Sequence, residues 1–65
     1  MKRIDVRVEN HGGLFLFRLG SARAREWVDE NIPDDATWFA GALVVEHHYA
    51  LDVANGMLAD GLVVR

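Results

Sequence analysis

The residues in this 65-residue chain whose types and spacing suit chemistry are Glu46-His47-His48, with Asp52 four positions after His48. Imidazole and carboxylate are donors that zinc accepts, and they also serve as general acids and bases. On a helix His48 and Asp52 share a face, and Glu46 or His11 can supply a third ligand. Against this, adjacent helical histidines diverge by about 100°, which sets His47 and His48 against serving one ion. A tetrahedral site also needs three or four ligands and a shell of partners that orients them. The competing arrangement is a polar strand-to-helix junction. There Glu46 and His47 satisfy the first amides of a helix, where the macrodipole favours a carboxylate, and His48 pairs with Asp52 in solvent. The spacing favours the junction, so no metal ligand, cofactor or catalytic residue is assigned. A small metal-dependent protein or enzyme using Glu46, His47, His48 and Asp52 is the alternative.

Other chemistries find less support. Cysteine is absent, and the only serine, Ser21, sits where a helix N-cap is expected. The only threonine, Thr37, opens a strand, and no G-x-S-x-G elbow exists. Asn10-His11-Gly12-Gly13 joins two strands, whereas a phosphate cradle opens a helix. A catalytic pocket is also hard to enclose in so small a domain unless two subunits share it.

The elements that must position these residues follow from periodicity. Residues 3–9 alternate, with Ile4, Val6 and Val8 on one side and Arg3, Asp5, Arg7 and Glu9 on the other, which predicts a strand with one wet face. After the Asn10–Gly13 turn, Leu14 to Leu19 is apolar on both faces and completes a hairpin as its more central strand. Ser21 is placed to cap a helix over Ala22–Asn31, whose stripe is Ala24, Trp27, Val28 and Ile32, and Pro33 follows its end. The charges on this helix oppose its dipole: Arg23 and Arg25 stand early, Asp29 and Glu30 late. Residues 38–45 are predicted as one interior strand, apolar on both faces, with Gly41 marking a bulge or a close backbone approach. A second helix is predicted from His47 to about Asp60 on the spacing of Ala50, Val53, Ala54, Met57 and Leu58, with Gly61 as its C′ residue. Asn55-Gly56, the strongest hairpin dipeptide, is kept inside that helix because its flanks repeat at three and four; the glycine is expected to let the helix approach the sheet closely. Leu62–Val64 is predicted as a short closing strand.

The chain therefore reads as a single α+β domain over residues 1–65, with a mixed sheet of about four strands, two helices on one face, and the order ββαβαβ. Sixty-five residues bury only about 60% of the surface the unfolded chain exposes, so the core is marginal and self-association is a natural source of added stability. With both helices on one face, the other face is left uncovered although its strands are apolar on both sides. Such a surface rarely stays in water. A homodimer packed sheet on sheet, or an unidentified protein partner, is the expected cover, with Leu14, Phe15, Leu16, Phe17, Trp38, Leu43 and Val45 as the candidate interface. The function predicted is a small non-enzymatic protein-interaction module.

Charge bounds the other partners. Net charge is −3, with six bases against two acids in residues 1–25 and eight acids against Arg65 in the rest. Nucleic-acid binding through Lys2, Arg3, Arg7 and Arg18 on the hairpin is a second alternative, weakened by Asp5 between Arg3 and Arg7 and by the acidic total. Asp29, Glu30, Asp34 and Asp35 form an acidic patch that can meet a basic protein, or simply be a solvated helix end. No segment has the length of a membrane span, and the charged N-terminus is unlike a signal peptide, so the expected location is cytoplasmic.

Glu9-Asn10-His11-Gly12, Leu14-Phe15-Leu16, Arg25-Glu26-Trp27, Trp38 to Leu43 and the run Tyr49, Asp52, Gly56-Met57, Asp60-Gly61-Leu62 together resemble a pattern found in a group of small uncharacterised bacterial and phage-associated proteins. The resemblance spans residues 6–64. It implies no established activity and carries over no catalytic or binding residue. In that group proline stands at the position of His47 and arginine at that of His48, which implies that a histidine-dependent metal site is not a group property. The phage association implies an accessory or inhibitor protein.

Overall fold

The computed structural model describes residues 3–65, so Lys2 of the basic hairpin lies outside the described residues. Its elements are β1 Val6–His11, β2 Leu14–Leu19, α1 Ala22–Asn31, β3 Thr37–Phe39, β4 Ala42–Glu46 and α2 His47–Ala59. The strands form one sheet in the order β1-β2-β4-β3, and every ladder is antiparallel. The α+β class, the four-stranded sheet, the two helices and the ββαβαβ succession of β and α regions are as predicted.

Two of those β regions differ in form from expectation. Residues 38–45 are a hairpin, not one strand. Ala40 and Gly41 both have positive φ, 51° and 80°, the mark of a type I′ two-residue turn, and Phe39 pairs with Ala42 across it. Gly41 is thus a turn residue and not a bulge. The closing segment forms no strand of its own but runs beside β1, with a parallel bridge between Val6 and Val64, which is all that remains of the mixed character. Val6 N donates to Val63 O at 3.0 Å, Arg65 N to Val6 O at 2.9 Å and Val8 N to Arg65 O at 2.7 Å, so the outer edge of β1 is covered from Val6 to Val8.

Alternation along β1, β2 and β4 sends Val6, Val8, Phe15, Phe17, Leu19, Leu43 and Val45 to one face. Ala24 and Val28 of α1 and Ala50 and Met57 of α2 pack against that face and close the core. Helix α1 begins as its sequence dictates: the Ser21 side chain accepts from Ala24 N at 3.2 Å. Its ill-placed arginines reach other elements, Arg23 toward Gly61 O and Arg25 toward Leu19 O, each at 3.4 Å. Leu58, expected in the apolar stripe of α2, is exposed, as are Tyr49 and Leu51.

Gly56 serves a close approach, but to α1 and not to the sheet. A β-carbon there would stand 3.1 Å from Trp27 Cζ2, and the Trp27 indole is tethered by its Nε1, which donates to Asp60 Oδ2 at 2.6 Å. Gly56→Val must displace a ring that is held at its other end. It should cost about 1–3 kcal/mol in urea denaturation, and a midpoint unchanged from wild type would show that the helices part without penalty.

Asp5 departs furthest from expectation. Placed on the wet side of a strand by alternation, it lies instead in the bend before β1 and is 0% exposed. Its Oδ1 accepts from Ser21 Oγ at 2.7 Å and its Oδ2 from Val63 N at 2.9 Å, and Arg3 Nε lies 3.2 Å away. A single carboxylate thus ties the start of α1 and the C-terminal segment to the entry of β1.

Candidate functional site: the helix-free face of the sheet

Registers define what the face away from the helices presents. Arg7 is opposite Arg18, Glu9 opposite Leu16 and His11 opposite Leu14. Leu14 is opposite Glu46 and Leu16 opposite Val44. Thr37 is opposite Val44 and Phe39 opposite Ala42. Side chains of paired residues share a face, so this side divides into two regions. Toward β1 it is charged, with Arg7, Arg18, Glu9 and His11. Toward β3 it is apolar, with Leu14, Leu16, Val44, Ala42 and Phe39, and Glu46 stands at the far corner. Leu16 and Ala42 are buried by their neighbours, whereas Leu14 is 43% and Phe39 64% exposed. A groove of about 370 Å³ runs over Leu14, Leu16, Val44, Thr37 and Phe39.

The seven interface candidates are separated by this alternation. Leu14 and Leu16 lie on the helix-free face. Phe15, Phe17, Leu43 and Val45 point to the helices, and the last three are buried in the core, so they are not available to a partner. Trp38 pairs with Leu43 at the sheet edge, is 46% exposed and also lines the groove beside Thr37 and Phe39. Phe39 and Val44 belong to the helix-free face and were not among the candidates. Reversal of the chain at Ala40-Gly41 is what places Phe39 there: in one continuous strand it shares a side with Leu43 and Val45, whereas in the hairpin it pairs with Ala42 on the opposite side.

Glu9 organises the charged region. Arg18 Nε donates to Glu9 Oε2 at 2.6 Å and His11 Nε2 lies 3.1 Å from Oε1. The bond from Arg18, then that from His11, holds the Glu9 carboxyl below its ordinary range against the opposing effect of desolvation, and Glu9 in turn holds Arg18 protonated. The basic hairpin is therefore largely neutralised within itself: Arg18 is paired with Glu9 and Arg3 with Asp5.

The Glu46-His47-His48 stretch is a junction, although not a capped one. Glu46 is at the N-cap position of α2 but its side chain makes no capping bond. The junction is fastened by backbone, His47 N donating to Gly13 O at 3.1 Å. The His47 ring stacks on Phe15 with centroids 6.0 Å apart and an interplanar angle of 21°, and His48 meets His47 edge-on at 5.8 Å. Among the described residues no group of three or more His, Cys, Asp or Glu side chains is positioned to hold a metal ion. The expected His48–Asp52 pair is not formed. Asp29, Glu30, Asp34 and Asp35 are all exposed, as a solvated patch requires. Among the described residues no helix is long and apolar enough to cross a membrane.

No protein-family model matches the chain, and no curated protein or solved structure matches it either.

Proposed function

We propose that this protein is a small non-enzymatic protein-interaction module that self-associates, as a homodimer, through the helix-free face of its sheet. One observation carries the proposal: Leu14, Val44 and Phe39 surround an apolar groove on a face over which the described residues lay no helix. Exposed apolar surface gathered in one place is what an interface supplies, whereas single scattered apolar side chains need no explanation. The arrangement of the polar side chains supports the non-enzymatic part. The histidines are stacked on aromatic rings or tied to Glu9, and the hydroxyl that meets a carboxylate, Ser21 on Asp5, is spent capping α1 against a fully buried group. An accessory or inhibitor role, as the resemblance implies, would be exercised through the same face.

Sedimentation equilibrium at micromolar concentration tests the proposal. The expected mass is twice that of one chain, and Leu14→Lys, which places a charge in the groove without disturbing the helix-side core, should return the protein to a monomer. A wild-type protein that stays monomeric throughout that range would refute self-association and leave a different protein as the only cover for this face.

A further inference from the structure

The charges on the helix-free face are not equivalent. Glu9, Arg18 and His11 satisfy one another, whereas Arg7 and Glu46 form no ion pair among the described residues. Both are exposed. Their positions on the sheet are related by symmetry. Arg7 lies on β1 beside Arg18, and Glu46 lies on β4 beside Leu14. Leu16, on β2 between those two strands, is two residues from Arg18 and two from Leu14. Arg7 and Glu46 are therefore opposite corners with Leu16 at their midpoint, each about 8 Å from it for strands about 4.8 Å apart and a rise of about 3.4 Å per residue. Phe39, the most exposed aromatic of this face, lies two strands from Leu16, level with Ala42. With the same spacings, the line from Leu16 to Phe39 crosses the Arg7–Glu46 line at about 90°.

We propose that the second copy docks on this face about a twofold axis that lies along the line from Leu16 to Phe39. The proposal rests on the self-association reading and specifies its geometry. Rotation about that axis exchanges the two corners, so Arg7 of each copy meets Glu46 of the other, and the contact forms twice. Phe39 lies on the axis and meets its own counterpart, which removes the exposed ring from water. The strands of the two sheets cross at about 70°, close to the orthogonal class of sheet packing. An isologous interface must be self-complementary, and an unpaired cation and an unpaired anion placed symmetrically about an apolar centre meet that requirement.

Charge exchange tests the geometry, with dimer dissociation measured by sedimentation for R7E, E46R and the double variant. Neither side chain has an ion-pair partner among the described residues, so melting of the isolated chains should change little. Each single variant sets like charges against each other twice and should weaken the dimer on the order of 10- to 100-fold. The double variant R7E/E46R should recover to within about 3-fold of wild type, since the pair is only reversed. Mixing R7E with E46R should produce a heterodimer tighter than either variant alone, because every such contact then joins opposite charges. A wild-type dimer that is indifferent to both single changes, or a double variant no better than the singles, would overturn this axis while self-association stands. A monomeric wild type would overturn both.

Discussion

Asp5→Ala is expected to lower the melting temperature by more than about 10 °C, a large effect for a change at a residue that no core pattern marks. The side chain is fully buried, and its two oxygens accept from Ser21 Oγ and Val63 N while Arg3 lies against it. Its removal leaves two part-buried donors without their acceptor and reduces the junction of three segments to its backbone bonds, Asp5 N to Val63 O and Gly20 N to Asp5 O. Ser21 also caps α1 through Ala24 N, so its loss of orientation extends into the helix. Asp5→Asn should fall between wild type and alanine: one oxygen still accepts, but an amide nitrogen then faces a donor. Ser21→Ala should be milder than Asp5→Ala, since the carboxylate keeps Val63. Thermal melts by circular dichroism rank the three, and an Asp5→Ala protein that melts with wild type would show that this carboxylate holds nothing together.

The same contact sets the acid limit of the fold. The Val63 amide first, then the Ser21 hydroxyl, hold the Asp5 carboxyl below its ordinary value; burial opposes them, and Arg3 and Arg23 add to the lowering. Glu9 is lowered in the same direction by Arg18 and His11. For a carboxyl whose folded-state pKa lies below its unfolded value, the unfolded chain binds more protons over the interval between them. The stabilisation is thus complete above the unfolded values, about 4 to 4.5, and is lost as pH falls through the lowered folded values. Melting temperature should be flat from pH 7 to about 5 with respect to these groups and decline below about 4, with a shallower acid decline in Asp5→Asn.

Much of this was legible in the sequence because periodicity reports burial. The hairpin, both helices and the Ser21 cap follow from spacings of two or of three and four. Periodicity also kept Asn55-Gly56 in α2, against the preference of that dipeptide for turns. It failed at Ala40-Gly41 for the same physical reason. Trp38 to Val45 is apolar nearly throughout, so no change of phase marks the point where the chain reverses, and alanine is a poor residue for positive φ. That one missed turn moved Phe39 to the wrong side and hid part of the candidate face. Asp5 escaped for a different reason. Its partners Ser21 and Val63 lie 16 and 58 residues away, and alternation alone assigns an aspartate beside Arg3 and Arg7 to solvent. A helix-side groove of about 260 Å³ over Val8, Phe15 and Leu51 was likewise invisible, since it depends on how far α2 covers the hairpin.

Phe17→Ala and Phe39→Ala should have opposite consequences, although both remove a phenyl ring from the same sheet. Phe17 is 1% exposed on a central strand and faces the helices amid Val6, Leu43 and Met57. Truncating such a ring costs about 3–5 kcal/mol through lost burial and the cavity left behind. A domain of this length has a total stability of only roughly 3–10 kcal/mol. The Phe17 variant should therefore be largely unfolded near room temperature or melt with little cooperativity, with any loss of self-association following from unfolding. Phe39 is 64% exposed and belongs to no part of the core cluster. Its removal should leave the monomer's stability within about 0.5 kcal/mol of wild type while weakening the proposed dimer, because most of the ring's surface is left open by its own chain. Chemical denaturation at low concentration and sedimentation at high concentration separate the two quantities. If Phe39→Ala lost monomer stability comparable to Phe17→Ala, the ring would be packed within its own chain and the helix-free face would have no unsatisfied apolar surface to offer. If it changed neither quantity, the interface would lie elsewhere on the molecule. Faces of a sheet differ by one residue of register, so this pair asks whether the reversal at Ala40-Gly41 decides which phenylalanine builds the fold and which is left for a partner.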